Sequence, residues 1–307
     1  MSELILHHYP ASPFAEKVRR ILGYKGIAWR SVIIPRMLPK PDVMPLTGGY
    51  RKTPILQIGA DVFCDTARIS REIERRFPTP TLFPAGTQTT AAVLAGWADK
   101  TLFFDVVGVV FGTLGATVPP EFAADRMKMS DGQMDPMRLA SDLPHLRAQL
   151  RAHLFWLEHG FGDGRLFLLG AAPAYPDFSV FAFVWMLTTR VPPETAPLAD
   201  MPHLQAWMKR MEALGHGTPT DLAPKDALAI AAAASPAALE MHHPETPEGL
   251  PIGAKVTVAA DDYGKDPVAG VLLGVSAQRI VIRRIDPVVG EVNLHFPRAG
   301  FRLLPAA

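Results

Sequence analysis

The amino-acid sequence predicts a multidomain chain in three parts: an α/β domain, an all-helical domain and a small all-β barrel. Three observations carry that reading. The 307 residues are about twice the usual length of one domain. The hydrophobic period changes twice, from mixed strand and helix patterns to a period of 3.6 alone, and then to a period of two. Each change falls in a stretch of turn-forming residues, Thr79 to Gln88 and His242 to Pro247, which sets the domains at 1–78, 89–234 and 245–307.

In the first part, Leu4 to His8 is an apolar run that reads as a buried strand. Ser12-Pro13 opens a helix in which Phe14, Val18, Ile21 and Leu22 recur at helical spacing, and Gly23 and Gly26 mark its end. Trp29 to Ile34 is a second strand leading into a Pro-rich loop, and Gly59-Ala60-Asp61 joins Pro54–Ile58 to Val62–Cys64 as a hairpin. Thr66 to Phe77 is an amphipathic helix. Beyond residue 88 the patterns are helical: Thr90–Phe111, Glu121–Lys128, Met137–His159, Asp177–Thr189 and Pro202–Leu214. Ala227 to Ala234 is an alanine-rich helix or tether. Then come five β runs, Lys255–Val258, Ala269–Val275, Arg279–Arg284, Glu291–Phe296 and Phe301–Leu304, read as an independently folding barrel.

Composition excludes several classes. Hydrophobic residues at 48% and charged residues at 20% are globular usage, not that of a disordered chain. The one cysteine, Cys64, rules out an intramolecular disulfide framework or a multi-cysteine zinc site, and reads as a buried small hydrophobe. The apolar start lacks a basic n-region, and the longest apolar stretch, Leu102 to Val118, is too short to span a bilayer, so a cytoplasmic protein with no membrane contact is expected. Lys and Arg exceed Asp and Glu by 13 to 7 in residues 1–78, are outnumbered 11 to 16 in 79–244, and are equal at 7 and 7 in 245–307. A basic first domain without a long Lys/Arg stripe reads either as a site for a small anionic ligand rather than a nucleic acid, or as the ordinary scatter of solvated charges.

The order of elements around Thr53-Pro54-Ile55-Leu56 resembles the thioredoxin fold, in which the residue before a cis-proline presents its backbone to a thiol ligand. Ser12-Pro13-Phe14-Ala15-Glu16-Lys17-Val18-Arg19 resembles the first helix of omega-class glutathione transferases, with serine in place of their cysteine, and the serine falls where zeta-class enzymes carry theirs. Cys64-Asp65-Thr66 resembles the acidic-plus-hydroxyl pair that holds a γ-glutamyl group. Pro173 to Phe178 resembles the family's buried capping box, with Ala174 where Ser or Thr is usual, and Pro202 to Met208 its penultimate helix. The resemblance to glutathione transferases covers residues 3 to 218; residues 245 to 307 resemble SH3-like barrels.

The resemblance implies the site. Ser12, at the positive end of a helix dipole, would activate the thiol of glutathione. The Thr53 backbone, ahead of Pro54, would pair with the cysteinyl part. Asp65 and Thr66 would take the α-ammonium and α-carboxylate, and Lys40, Arg51 and Lys52 are candidates for the glycyl carboxylate. On residues alone Ser12 reads first as a plain helix N-cap and Asp65 as either an N-cap or a ligand residue, and His8 and Tyr9 are rivals read as pocket or core residues. His7-His8 and His242-His243 lack partners at metal spacing, so no metal is expected. The function expected is transfer of glutathione, as co-substrate, to a small apolar electrophile by a homodimer. The alternative is a non-catalytic binding or scaffold protein of the same fold, with the barrel facing a protein partner.

Overall fold

The computed structural model describes residues 3–192, 198–239 and 248–306. The linker read at His242 to Pro247 lies outside them. Near the N-terminus, β1 (Ile5–His8) is buried along its whole length, its two histidines included, as a strand flanked on both sides by others can be. Next come α1 (Pro13–Tyr24), β2 (Ala28–Ile33), the short α2 (Met44–Thr47), β3 (Ile55–Ile58), β4 (Asp61–Cys64) and α3 (Thr66–Arg76). β1 pairs parallel with β2 and antiparallel with β3, and β3 pairs antiparallel with β4. This is the thioredoxin-like arrangement expected.

The helical part runs α4 (Gln88–Trp97), a π-helical turn (Ala98–Leu102), α5 (Phe103–Leu114), α6 (Pro120–Met129), α7 (Pro136–Ser141), α8 (Leu143–Phe161), α9 (Tyr175–Arg190) and α10 (Pro202–Glu212). The helix read over Met137–His159 divides where Pro144 opens a new first turn. α9 is buried nearly all round, with Phe178, Phe181 and Phe183 fully enclosed. Its N-cap, Ala174, has no side-chain acceptor, so half of the capping box is missing. Asp177 supplies the other half by accepting from the Ala174 N–H at 2.9 Å, and also from Leu168 N–H and Trp207 Nε1–H, each at 2.9 Å.

After α10 the chain adds β5 (Thr218–Asp221), α11 (Pro224–Ala232) and strands β6 (Lys255–Ala260), β7 (Val268–Val275), β8 (Arg279–Asp286), β9 (Gly290–Pro297) and β10 (Phe301–Pro305). All ten strands join one sheet, ordered β10-β6-β7-β8-β9-β4-β3-β1-β2-β5. The five expected β runs are present, but the sheet they form continues that of the N-terminal domain. β9 pairs parallel with β4, in the register Asp61↔Asn293, Val62↔Leu294, Phe63↔His295. Side chains reinforce the join: His295 Nε2 bonds Asp61 Oδ1 at 2.7 Å, and the Phe63 and His295 rings stack 4.4 Å apart. One apolar core runs through both, from Ile5, Val32 and Val62 to Ala231, Val258, Ile282 and Leu294. The physical reason is edge protection. Without β9, the buried strand β4 would expose its unpaired N–H and C=O groups.

The chain divides into two compact units: residues up to 15 with 26–75 and the chain from 217 on, and residues 16–25 with 76–216. No helix among the described residues is long and apolar enough to cross a membrane.

Candidate functional site

Pairing in the first unit brings three chain segments to one end of the sheet. β1 ends at His8, which is followed by Tyr9 to Ser12; β3 starts at Ile55, opposite both His7 and Cys64; β4 ends at Cys64, ahead of Asp65. The loop before α1, the Thr53–Pro54 step and the start of α3 therefore meet at the same edge.

Ser12 is buried at 2% exposure, and its Oγ accepts from the Ala15 backbone N–H at 3.1 Å. The hydroxyl thus caps α1 as an acceptor, which leaves its own proton to donate. The Thr53–Pro54 peptide is cis. Lys40 connects the segments: its Nζ donates to Thr53 Oγ1 at 2.8 Å and to the Arg51 carbonyl at 2.9 Å, and lies 6.0 Å from the Tyr9 ring centre. Lys40 and Arg51 are both buried.

Asp65 adopts φ 73°, the left-handed region that Asp tolerates better than most non-glycine residues, and its Oδ1 accepts from Ala67 N–H at 2.8 Å. Thr66, the first residue of α3, is buried. Cys64 is buried and its thiol is pushed up by that burial and by the neighbouring Asp65 carboxylate, so it stays protonated. His8 is buried with Nε2 on Ser31 Oγ at 3.1 Å and its ring edge-on to Trp29, a core histidine. His7 is likewise buried, bonded to Gln57 Oε1 at 2.8 Å, and burial pulls its pKa down to about 4.

The site has a wall that sequence reasoning missed. The C-terminal strands reach residues 45–52: Arg284 Nη1 donates to the Pro45 carbonyl at 3.2 Å, Tyr50 packs edge-on to Phe296, and Lys52 pairs with Asp262 at 2.6 Å. Tyr50 is buried, its hydroxyl pushed well up first by that burial and then by the nearby Asp65 carboxylate. Nothing in the local pattern around Asp262 reveals a partner 210 residues away. Among the described residues, no group of three or more His, Cys, Asp or Glu could hold a metal ion.

The glutathione S-transferase N-terminal domain model matches residues 6–81, and the C-terminal domain model matches 123–210. A solved GST-like protein from Pseudomonas syringae is 40% identical, with 100% of each chain covered and a TM-score of 0.83. The chain belongs to the glutathione transferase family. A glutathione S-transferase from Rhodospirillum rubrum F11 shares the fold at 20% identity and TM-score 0.56, over 68% of this chain and 88% of its own. So does one from Ceriporiopsis subvermispora, solved in complex with glutathione, at 17% identity and TM-score 0.56 over 69% and 97%. About a third of this transferase-family chain therefore has no counterpart in those two proteins, whereas the Pseudomonas syringae protein matches it throughout. No curated protein matches the sequence.

Proposed function

We propose that this protein binds glutathione at the converging end of β1, β3 and β4 and adds its thiolate to a small apolar electrophile, as a cytoplasmic homodimer. The observation that carries the reading is Ser12: a buried hydroxyl held at a helix N-terminus by the Ala15 N–H, with its proton left for a thiolate. The helix dipole and that donor together favour the thiolate over the thiol. In this reading Thr53 and Pro54 align the cysteinyl backbone, Asp65 and Thr66 hold the γ-glutamyl end, and Lys40 and Arg51 set the charge of the loop beside them. The left-handed backbone of Asp65 supports it, since such conformations concentrate at ligand sites. Serine forms no mixed disulfide, so addition or substitution fits better than thiol exchange.

The test is calorimetric titration with glutathione and S-hexylglutathione, with light scattering on the same sample to count subunits. Absence of binding would leave the non-catalytic scaffold reading. Given binding, Ser12→Ala loses a hydrogen bond to a charged group and lowers turnover with chlorodinitrobenzene on the order of 10- to 100-fold at near-normal affinity. Asp65→Asn keeps the cap acceptor and the left-handed tolerance but removes the charge, raising KM for glutathione with turnover largely unchanged. Full activity in Ser12→Ala would return Ser12 to a plain helix cap.

A further inference from the structure

Lys52 stands one residue before Thr53, yet its charge is already engaged. Its Nζ donates to Asp262 Oδ1 at 2.6 Å and lies 4.1 Å from the Tyr263 ring centre. The Lys52 side chain is 11% exposed and that of Asp262 28%, so the pair sits at the protein surface without being fully solvated. Both partners come from the turn after β6. β9 ends beside β4, and four residues on, Phe301 opens β10 and pairs with Ala260 at the end of β6, which returns that turn to the edge holding Asp65. Tyr50 feels the same groups: behind burial, the Asp65 and Asp262 carboxylates both push its hydroxyl up.

An ammonium paired with a carboxylate and lying over an aromatic face presents a largely neutralised charge to an incoming carboxylate, and the Asp262 charge repels one directly. Lys40, the other lysine of this stretch, donates to its own loop. We propose that Asp262 is a specificity-determining residue: by holding Lys52, it withholds that charge from the glycyl carboxylate and weakens the preference for glutathione over analogues neutralised at that end. The inference rests on the proposal that glutathione binds here. It assigns the C-terminal strands a part in ligand choice.

The experiment measures Kd by calorimetry for glutathione and for its glycyl monoethyl ester, on the full chain carrying Asp262→Asn, Lys52→Met or both. Asn retains the oxygen that accepts the Tyr263 backbone N–H, so the turn is kept. Asp262→Asn should tighten glutathione about two- to five-fold, the range of a partly exposed ion pair, and leave the ester unchanged. The gain should vanish in the Lys52→Met background. Weaker or unchanged glutathione binding, an equal gain for the ester, or a gain that survives Lys52→Met overturns the proposal. A wild-type chain that binds neither ligand overturns the underlying glutathione reading, and this inference with it.

Discussion

The central strands of the first unit and the helices of the second bury polar groups in different ways. Along the sheet of the first unit, two buried histidines are kept neutral: His7 bonds the amide of Gln57, whose Nε2 in turn donates to the Ala227 carbonyl at 2.8 Å, and burial lowers the pKa of His295 despite its Asp61 partner. The second unit buries full charges and matches them. Lys17 is wholly enclosed, donating to Asp99 at 2.7 Å and to Tyr175 Oη at 3.0 Å. Glu16 bonds Arg19, Arg20 and His216; burial alone would raise its carboxyl, but those partners hold it down at about 2. A central strand already has its backbone satisfied, so its side chains need only neutral partners. A helix bundle joined by side chains uses charge to fix the meeting of distant segments.

The most severe way to break the comparison is to cut the sheet. A chain ending at Leu239 keeps α11 but removes β6 to β10, leaving β4 as an uncovered edge and opening the shared core. It should lose cooperative unfolding and soluble yield; a soluble product melting like the full chain would show that the two sheet halves fold separately. Next is the charged core of the second unit. Asp99→Ala strands a buried ammonium and should cost about 3–5 kcal/mol in urea unfolding, whereas Lys17→Met, which removes the charge itself, should cost much less. Equal losses from both would mean that the pair acts through packing.

The smallest effect separates the units by pH. His7, with a folded pKa of about 4 against 6.5 when unfolded, contributes stability present above pH 6.5 that is lost as pH falls towards 4, on the order of 3 kcal/mol. Asp177 in the second unit has the opposite sign: burial pushes its carboxyl up to about 6, so its share is greatest at low pH and lost as pH rises through 6. On acidification from about pH 7 to 4.5, hydrogen-exchange protection in β1 and β3 should fall relative to that in α9. A parallel change in both would remove the assignment.

Much of this architecture was legible because local periodicity suffices for it. Ile5 to His8, the Ser12-Pro13 helix start and the α8 stripe of Leu150, Leu154 and Leu157 each declare their element without reference to the rest. Ser12, Asp65 and Thr66 were legible for the same reason, since helix starts are local. What stayed hidden is long-range. Asn293 and His295 alternate with Val292, Leu294 and Phe296, a pattern that reads as a strand with one wet face; all five are buried, the apolar three in the core shared with α11 and His295 against Phe63 and Asp61. Thr218-Pro219-Thr220-Asp221 carries no strand signal, yet pairs with β2 as an exposed edge, a position that tolerates proline. The clasp of Asp262 on Lys52 is likewise a product of topology.

The strand order also sets a timetable for synthesis. The strands β1 to β4 leave the ribosome ahead of the helical part, but their neighbours on both sides, β5 and β9, come only after the whole helical part has been translated. At typical elongation rates the nascent β4 waits on the order of ten seconds or more for its partner, while the 76–216 segment emerges entire. The helical part can complete itself during translation; the N-terminal sheet is finished last, by the C-terminal strands, and until then it offers two open edges to whatever binds extended chains.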